Sequence, residues 1–110
     1  MYTVTKRLEI SAAHKLALDY QSPCTRLHGH NWIIEITCQA KELNEHGMVV
    51  DFKHIKNTVE QELDHQYLND VLLRNPTAEN IAKWVCGKVP NCVRVKVQES
   101  EGNVAIYDNT

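Results

Sequence analysis

Two stretches of apolar–polar alternation, each about thirteen residues long, constrain this chain more than any other feature of it. A period of two sustained that long reads as a strand, because successive side chains point to opposite faces; wound as a helix, the same apolar residues would scatter around the circumference. The first stretch runs from about Tyr2 to His14. Its even positions are Tyr2, Val4, Lys6, Leu8, Ile10, Ala12 and His14, mostly apolar, and its odd ones are mainly polar. Lys6 breaks the row and predicts a bulge or a sheet edge. The second stretch, from about Gly29 to Lys41, is cleaner. Trp32, Ile34, Ile36, Cys38 and Ala40 share one face, while Asn31, Glu35, Thr37, Gln39 and Lys41 fill most of the other.

The middle of the chain changes period. Phe52, Ile55, Val59 and Leu63 recur at spacings of three and four, an amphipathic helix that Asp51 can cap. A second helix is expected after Pro76-Thr77, with Glu79 in the first turn favoured by the helix dipole. Its apolar face is Ile81, Trp84, Val85 and Val89, and Pro90 ends it. Then the period returns to two. Val93, Val95 and Val97 alternate with Arg94, Lys96 and Gln98, and Gly102-Asn103 turns the chain into Val104 to Tyr107. The order ββααββ predicts an α+β fold, a four-stranded antiparallel sheet with two helices packed on one face. No repeat or linker divides residues 1–110, so one domain is expected.

Composition narrows the function. A net charge of −2 with no basic run lacks the footprint of a nucleic-acid binder. No apolar run reaches bilayer length, so no membrane partner is expected. The first ten residues carry Lys6, Arg7 and Glu9 and are unlike a signal peptide. Cys24, Cys38, Cys86 and Cys92 have no paired spacing and read as reduced thiols of a cytoplasmic protein. A chain of 110 residues buries roughly two thirds of its unfolded surface, which makes help from a metal or an oligomer unsurprising.

Chemistry gathers at one end of the two long strands. His28-Gly29-His30 places two imidazoles on one side of an extended chain, the side of Trp32 and Ile34. His14 closes the apolar row of the first strand. If the two apolar faces align, three imidazoles converge. Three neutral nitrogens with a fourth position open describe a catalytic zinc site. Imidazole suits zinc, though other divalent metals accept the same ligands. The competing reading is a set of ordinary strand histidines. His46, in a Gly-containing loop, and His54, on the polar side of its helix, read as solvated.

Cys24 lies in the thirteen-residue segment between His14 and His28. A loop that long in so small a domain is commonly functional or else disordered. Zinc and the nearby Arg26 would favour its thiolate, making it a base or nucleophile; the alternative is a fourth, structural zinc ligand. Cys38, Cys86 and Cys92 read as small core or semi-buried residues. Glu99 extends the row Val93, Val95, Val97, where a carboxylate needs a partner: a ligand with adjacent N–H groups, a cap or an ion pair. Asp64-His65 follows the first helix at once. Neighbours rarely hydrogen-bond well to each other, so each orients something else, unless His65 simply caps the helix dipole.

These residues, taken in order, resemble a known family over nearly the whole chain. Ala12-Ala13-His14, Cys24-x-x-x-His28-Gly29-His30, Asp51-Phe52, Leu63-Asp64-His65, Pro76-Thr77-Ala78-Glu79-Asn80 and the late Glu99 look like the 6-pyruvoyl-tetrahydropterin synthase/QueD family. The three-residue gap between Cys24 and His28 and the short chain resemble its 6-carboxy-tetrahydropterin synthase (QueD) branch. The resemblance implies a T-fold, the tunnelling fold, whose subunits close into antiparallel barrels with active sites at their interfaces, as a homo-oligomer, a hexamer built as a dimer of trimers. It implies conversion of 7,8-dihydroneopterin triphosphate to 6-carboxy-5,6,7,8-tetrahydropterin, with loss of acetaldehyde and triphosphate, in the queuosine precursor pathway. Carried over by position, His14, His28 and His30 bind zinc and Cys24 abstracts a proton. Asp64 and His65 assist proton transfer, and Glu99 anchors the pterin. Lys15 and Arg26 are candidate phosphate contacts. Gln98 stands where close relatives would carry a basic residue. Rival readings are a pyruvoyl-forming or related dihydropterin side-chain lyase and a non-catalytic zinc or pterin-binding module.

Overall fold

The computed structural model describes residues 1–109. Strand β1, Tyr2–His14, is followed by a long connection and by β2, His28–Ala40. Three helices come next: α1, Phe52–Leu63, α2, Leu68–Val71, and α3, Ala78–Lys88. Strands β3, Cys92–Ser100, and β4, Asn103–Asp108, end the chain. The sheet order is β1-β2-β3-β4, antiparallel throughout, so the expected ββααββ order holds with one single-turn helix added.

The long pair is what the alternation demands. β1 and β2 stay in register over all thirteen residues, from Tyr2 opposite Ala40 to His14 opposite His28. Lys6 sits opposite Ile36 with no bulge, so of its two expected meanings only the edge survives. Leu8, Ile10, Ala12 and His14 are buried from one strand and Trp32, Ile34, Ile36 and Cys38 from the other. Because the sheet is antiparallel with its turn end at His14 and His28, the histidines meet where the strands begin to part.

Helix α1 begins where the Asp51 carboxylate accepts the Lys53 N–H at 2.9 Å. It lays Ile55, Val59 and Leu63 on β1; Phe52, counted in the stripe, is half exposed instead, at the helix's first turn. Helix α3 begins where the Thr77 hydroxyl accepts the Asn80 N–H at 3.1 Å. Its buried face is Ala78, Ile81, Ala82, Val85 and Cys86, packed on β3 and β4. Trp84, expected on that face, is only half-buried, and Lys88 Nζ lies 5.2 Å from its ring centroid.

Two irregularities re-aim side chains on β3. The register slips between Thr37 and Cys38, so that Arg94 pairs with Thr37 but Cys92 pairs with Cys38. Val93 becomes the extra residue and falls half out of the core, and Cys92 turns in instead. The expected row therefore keeps Val95 and Val97 and loses Val93. A second slip lies between Gln98 and Ser100, beside Glu99. Among the described residues, no helix is long and apolar enough to cross a membrane.

Candidate active site

His14, His28 and His30 come together. Their potential ligand atoms all lie within 4.8 Å of one another, and ring centroids are 4.5, 4.9 and 5.2 Å apart. Strand pairing does this: His14 and His28 are register partners, and His30 is two residues along the same face of β2. The indole of Trp32 underlies them, 4.9 Å from the His14 ring and 5.1 Å from the His30 ring, with its N–H donated to the Ala12 carbonyl at 3.1 Å.

Backbone carbonyls settle which nitrogens face inward. His14 Nδ1 lies 2.8 Å from the Pro76 carbonyl and His28 Nδ1 lies 2.7 Å from the Arg26 carbonyl. A carbonyl only accepts, so each Nδ1 carries the proton and each Nε2 keeps a free lone pair. His14 is fully buried, and the Nε2 atoms of His14 and His30 are buried with no hydrogen-bond partner. Orphaned buried nitrogens of this kind are costly unless something binds them. Burial lowers the pKa of His14 below the ordinary histidine value, with His28 and His30 adding to the effect against the Pro76 hydrogen bond and Glu99. It lowers that of His30 too, against the pull of Glu99. Neutral imidazoles with inward lone pairs are the donor set a divalent metal such as zinc requires.

Glu99 belongs to this end of the sheet. Its Oε1 stands 3.3 Å from His30 Nε2 without the alignment of a hydrogen bond, and its side chain is one quarter exposed. It borders a cavity of about 460 Å³ between the start of α3 and β4, lined also by Ala78, Glu79 and Val104.

The Asp64-His65 pair is built on a different residue, Ser11. Asp64 ends α1, and its Oδ1 accepts the Ser11 N–H at 3.0 Å, while the His65 N–H donates to the Ser11 carbonyl at 2.7 Å. His65 takes a left-handed backbone, φ 59°, and leaves its imidazole 81% exposed, 3.7 Å from Asp64 Oδ2. It faces a shallow cleft of about 590 Å³ that His30, Asn31 and Tyr67 also line.

Cys24 stands outside the histidine trio. It is half-buried in a single 3-10 turn, Pro23–Thr25, whose cap is the Ser22 hydroxyl accepting the Cys24 N–H at 3.1 Å. Its carbonyl accepts the Leu16 N–H at 2.8 Å, which holds the turn against the end of β1. Within one chain, then, His14, His28, His30 and Glu99 cluster, His65 lines the cleft next to them with Asp64 beside it, and Cys24 joins neither group. Lys15 and Arg26 are exposed, as are His46 and His54.

Sequence reasoning passed over Pro76, Trp32 and Ser11 as parts of the site. Pro76 and Ser11 act through backbone groups, which no residue type announces. Trp32 sat in the apolar row, and its N–H was the only hint of a further task.

Residues 3–110 match the family model described as 6-pyruvoyl tetrahydropterin synthase. The chain belongs to that family. Among its relatives, the Synechocystis protein named 6-carboxy-5,6,7,8-tetrahydropterin synthase is 36% identical, over 97% of this chain and 93% of the relative. The Bacillus subtilis protein of the same name is 31% identical, over 96% and 84%. The solved Caenorhabditis elegans 6-pyruvoyl tetrahydropterin synthase superposes with a TM-score of 0.78 at 22% identity, covering 99% of this chain and 96% of that one. This member of the 6-pyruvoyl tetrahydropterin synthase family thus has the family's T-fold and is a pterin synthase of the lyase type.

Proposed function

We propose that the chain is a zinc-dependent lyase that converts 7,8-dihydroneopterin triphosphate to 6-carboxy-5,6,7,8-tetrahydropterin, releasing acetaldehyde and triphosphate, for queuosine precursor synthesis in the cytoplasm. The observation that carries it is the histidine trio with two orphaned Nε2 atoms, set in a chain 31% and 36% identical to two proteins of that name.

His14, His28 and His30 hold the metal, with the Pro76 and Arg26 carbonyls fixing two of the rings. The chemistry zinc supplies when bound is Lewis-acid polarisation of the substrate's side-chain oxygens and stabilisation of the negative charge that develops there. Glu99 accepts two N–H groups from the 2-amino and ring-nitrogen edge of the pterin, a fork like that of carboxylate with Arg. Cys24 removes a proton from the side chain as a general base. His65, beside Asp64, carries protons to and from the ring; Asp64 is itself held by the Ser11 N–H. Lys15 and Arg26 meet the triphosphate.

The two parts of the site that one chain leaves apart are joined by assembly. Strand β4 is an open edge and β1 is open before Ser11, being covered at Ser11 and Ala13 by residues 64–67, and β4 exposes Val104 and Ile106 to 46% and 45%. Open edges with apolar side chains favour closure against another copy, here into a hexamer built as a dimer of trimers.

The test is product analysis. Zinc-loaded protein incubated with dihydroneopterin triphosphate should yield acetaldehyde and a 6-carboxylate by mass. A pyruvoyl product would assign the chain to the other reaction on this scaffold, and no turnover with tight pterin binding would leave a binding module.

A further inference from the structure

The bulge on β3 does more than interrupt a row of valines. It turns Cys92 into the core directly across from Cys38. The Gln39 N–H donates to the Asn91 carbonyl at 3.0 Å, the bond that flanks a non-hydrogen-bonded antiparallel pair. Cys38 and Cys92 therefore occupy the closer kind of cross-strand position, about 4.5 Å between Cα atoms. A disulfide spans about 4.4–6.8 Å. The Cys92 thiol donates to the Arg94 carbonyl at 3.6 Å. Cys86, from the last turn of α3, donates to the Cys92 carbonyl at 3.6 Å. All three are free and buried. They lie at the other end of the sheet from the histidines: Cys38 is eight residues along β2 from His30, about 26 Å. The proposed chemistry uses none of them.

From this arrangement the geometry points to Cys38 and Cys92 as a peroxide-oxidisable dithiol that closes to a disulfide between β2 and β3. The two thiols are not equivalent. The neighbouring Cys92 thiol holds Cys38 below the ordinary thiol value against the effect of burial, whereas Cys38 and burial push Cys92 up. Cys38 is then the nucleophile, since thiolate and not thiol attacks. Its sulfur attacks one oxygen of hydrogen peroxide and the O–O bond breaks, giving a sulfenic acid and hydroxide, which leaves as water with the Cys38 proton. The Cys92 sulfur displaces the sulfenic hydroxyl, the S–S bond forms, and a second water departs with the Cys92 proton. Two thiols lose two electrons in all, and one peroxide becomes two waters. A small oxidant suits the site, because both sulfurs are buried and are reached when the sheet end beside the Pro90-Asn91 turn opens. Cys86 sits on α3, outside the cross-strand register that pairs Cys38 with Cys92, so it stays a thiol.

The full chain is treated with hydrogen peroxide in native buffer, denatured, alkylated and digested, and its crosslinks are mapped by mass spectrometry. The expected result is a Cys38–Cys92 crosslink that reductant reverses, with Cys86 alkylated. Cys86→Ala should keep the crosslink and Cys92→Ala should lose it. Because Cys92→Ala also empties core volume, the unmutated chain gives the deciding map. Recovery of Cys38 and Cys92 as alkylated thiols after Cys24 has been oxidised to the sulfinic acid would overturn the assignment, and so would a Cys86–Cys92 crosslink in its place.

Discussion

His14 puts its two ring nitrogens to different uses. Nδ1 is spent on the Pro76 carbonyl, and Nε2 is left buried without a partner. The cost appears as a pH dependence whose sign can be worked out. His14 and His30 have folded-state pKa values below 6.5, so as pH falls the unfolded chain takes up protons before the folded one does. Stability is complete above about 6.5 and drains away below it, down through the lowered folded values. The metal-free protein should therefore melt at a lower temperature at pH 5.5 than at pH 7.5, and His14→Gln should flatten that slope in calorimetry. Two other residues separate binding from chemistry. Cys24→Ala should keep zinc and bind substrate, yet turn over about 10²–10⁴-fold more slowly, the usual worth of a general base. Glu99→Ala should keep zinc and lose substrate affinity together with rate. Metal content and affinity, measured side by side, check both; zinc loss in Cys24→Ala would make Cys24 a ligand.

Among the elements, α3 reaches furthest beyond its own packing. Its cap, Thr77, adjoins the carbonyl that fixes His14, and Asn80 ties back to the Asn75 carbonyl at 2.9 Å. Thr77→Ala should cost about 0.5–2 kcal/mol of stability in denaturant unfolding. It should also weaken zinc retention against a chelator, which an exposed cap elsewhere, such as Asp51→Ala, should leave unchanged. This coupling was not legible in the sequence, where Pro76-Thr77 announced only a helix start. What could be read was whatever a period controls. The rows of β1 and β2 fixed both strands and hence the convergence of three histidines. The stripe of α1 was read correctly at Ile55, Val59 and Leu63, and overcounted at Phe52. Helix α2 escaped because four residues hold barely one turn, too short for a stripe. The slip at Thr37/Cys38 escaped because a bulge belongs to a pair of strands, while alternation belongs to one. Cys24 and the Asp64-His65 pair stood out by residue type and not as neighbours, since loop paths leave no period.

At the scale of the whole molecule, the chain is long and narrow, 51 × 26 × 25 Å, with a sheet left open along β4 and along β1 before Ser11. Light scattering should find a hexamer, and a folded, active monomer would remove the basis for sites shared between copies. Replacing the apolar edge, with Val104→Lys and Ile106→Lys together, should shift the population toward smaller species while the histidine trio of each chain still takes up metal. If open edges are completed only by neighbours, the number that describes this protein's activity is not fixed per chain. It follows mass action. Below some threshold concentration, specific activity should fall more steeply than the amount of protein, and recover on concentrating the sample. An organism that makes little of this chain would hold it near that threshold, where a modest change in synthesis acts as a switch.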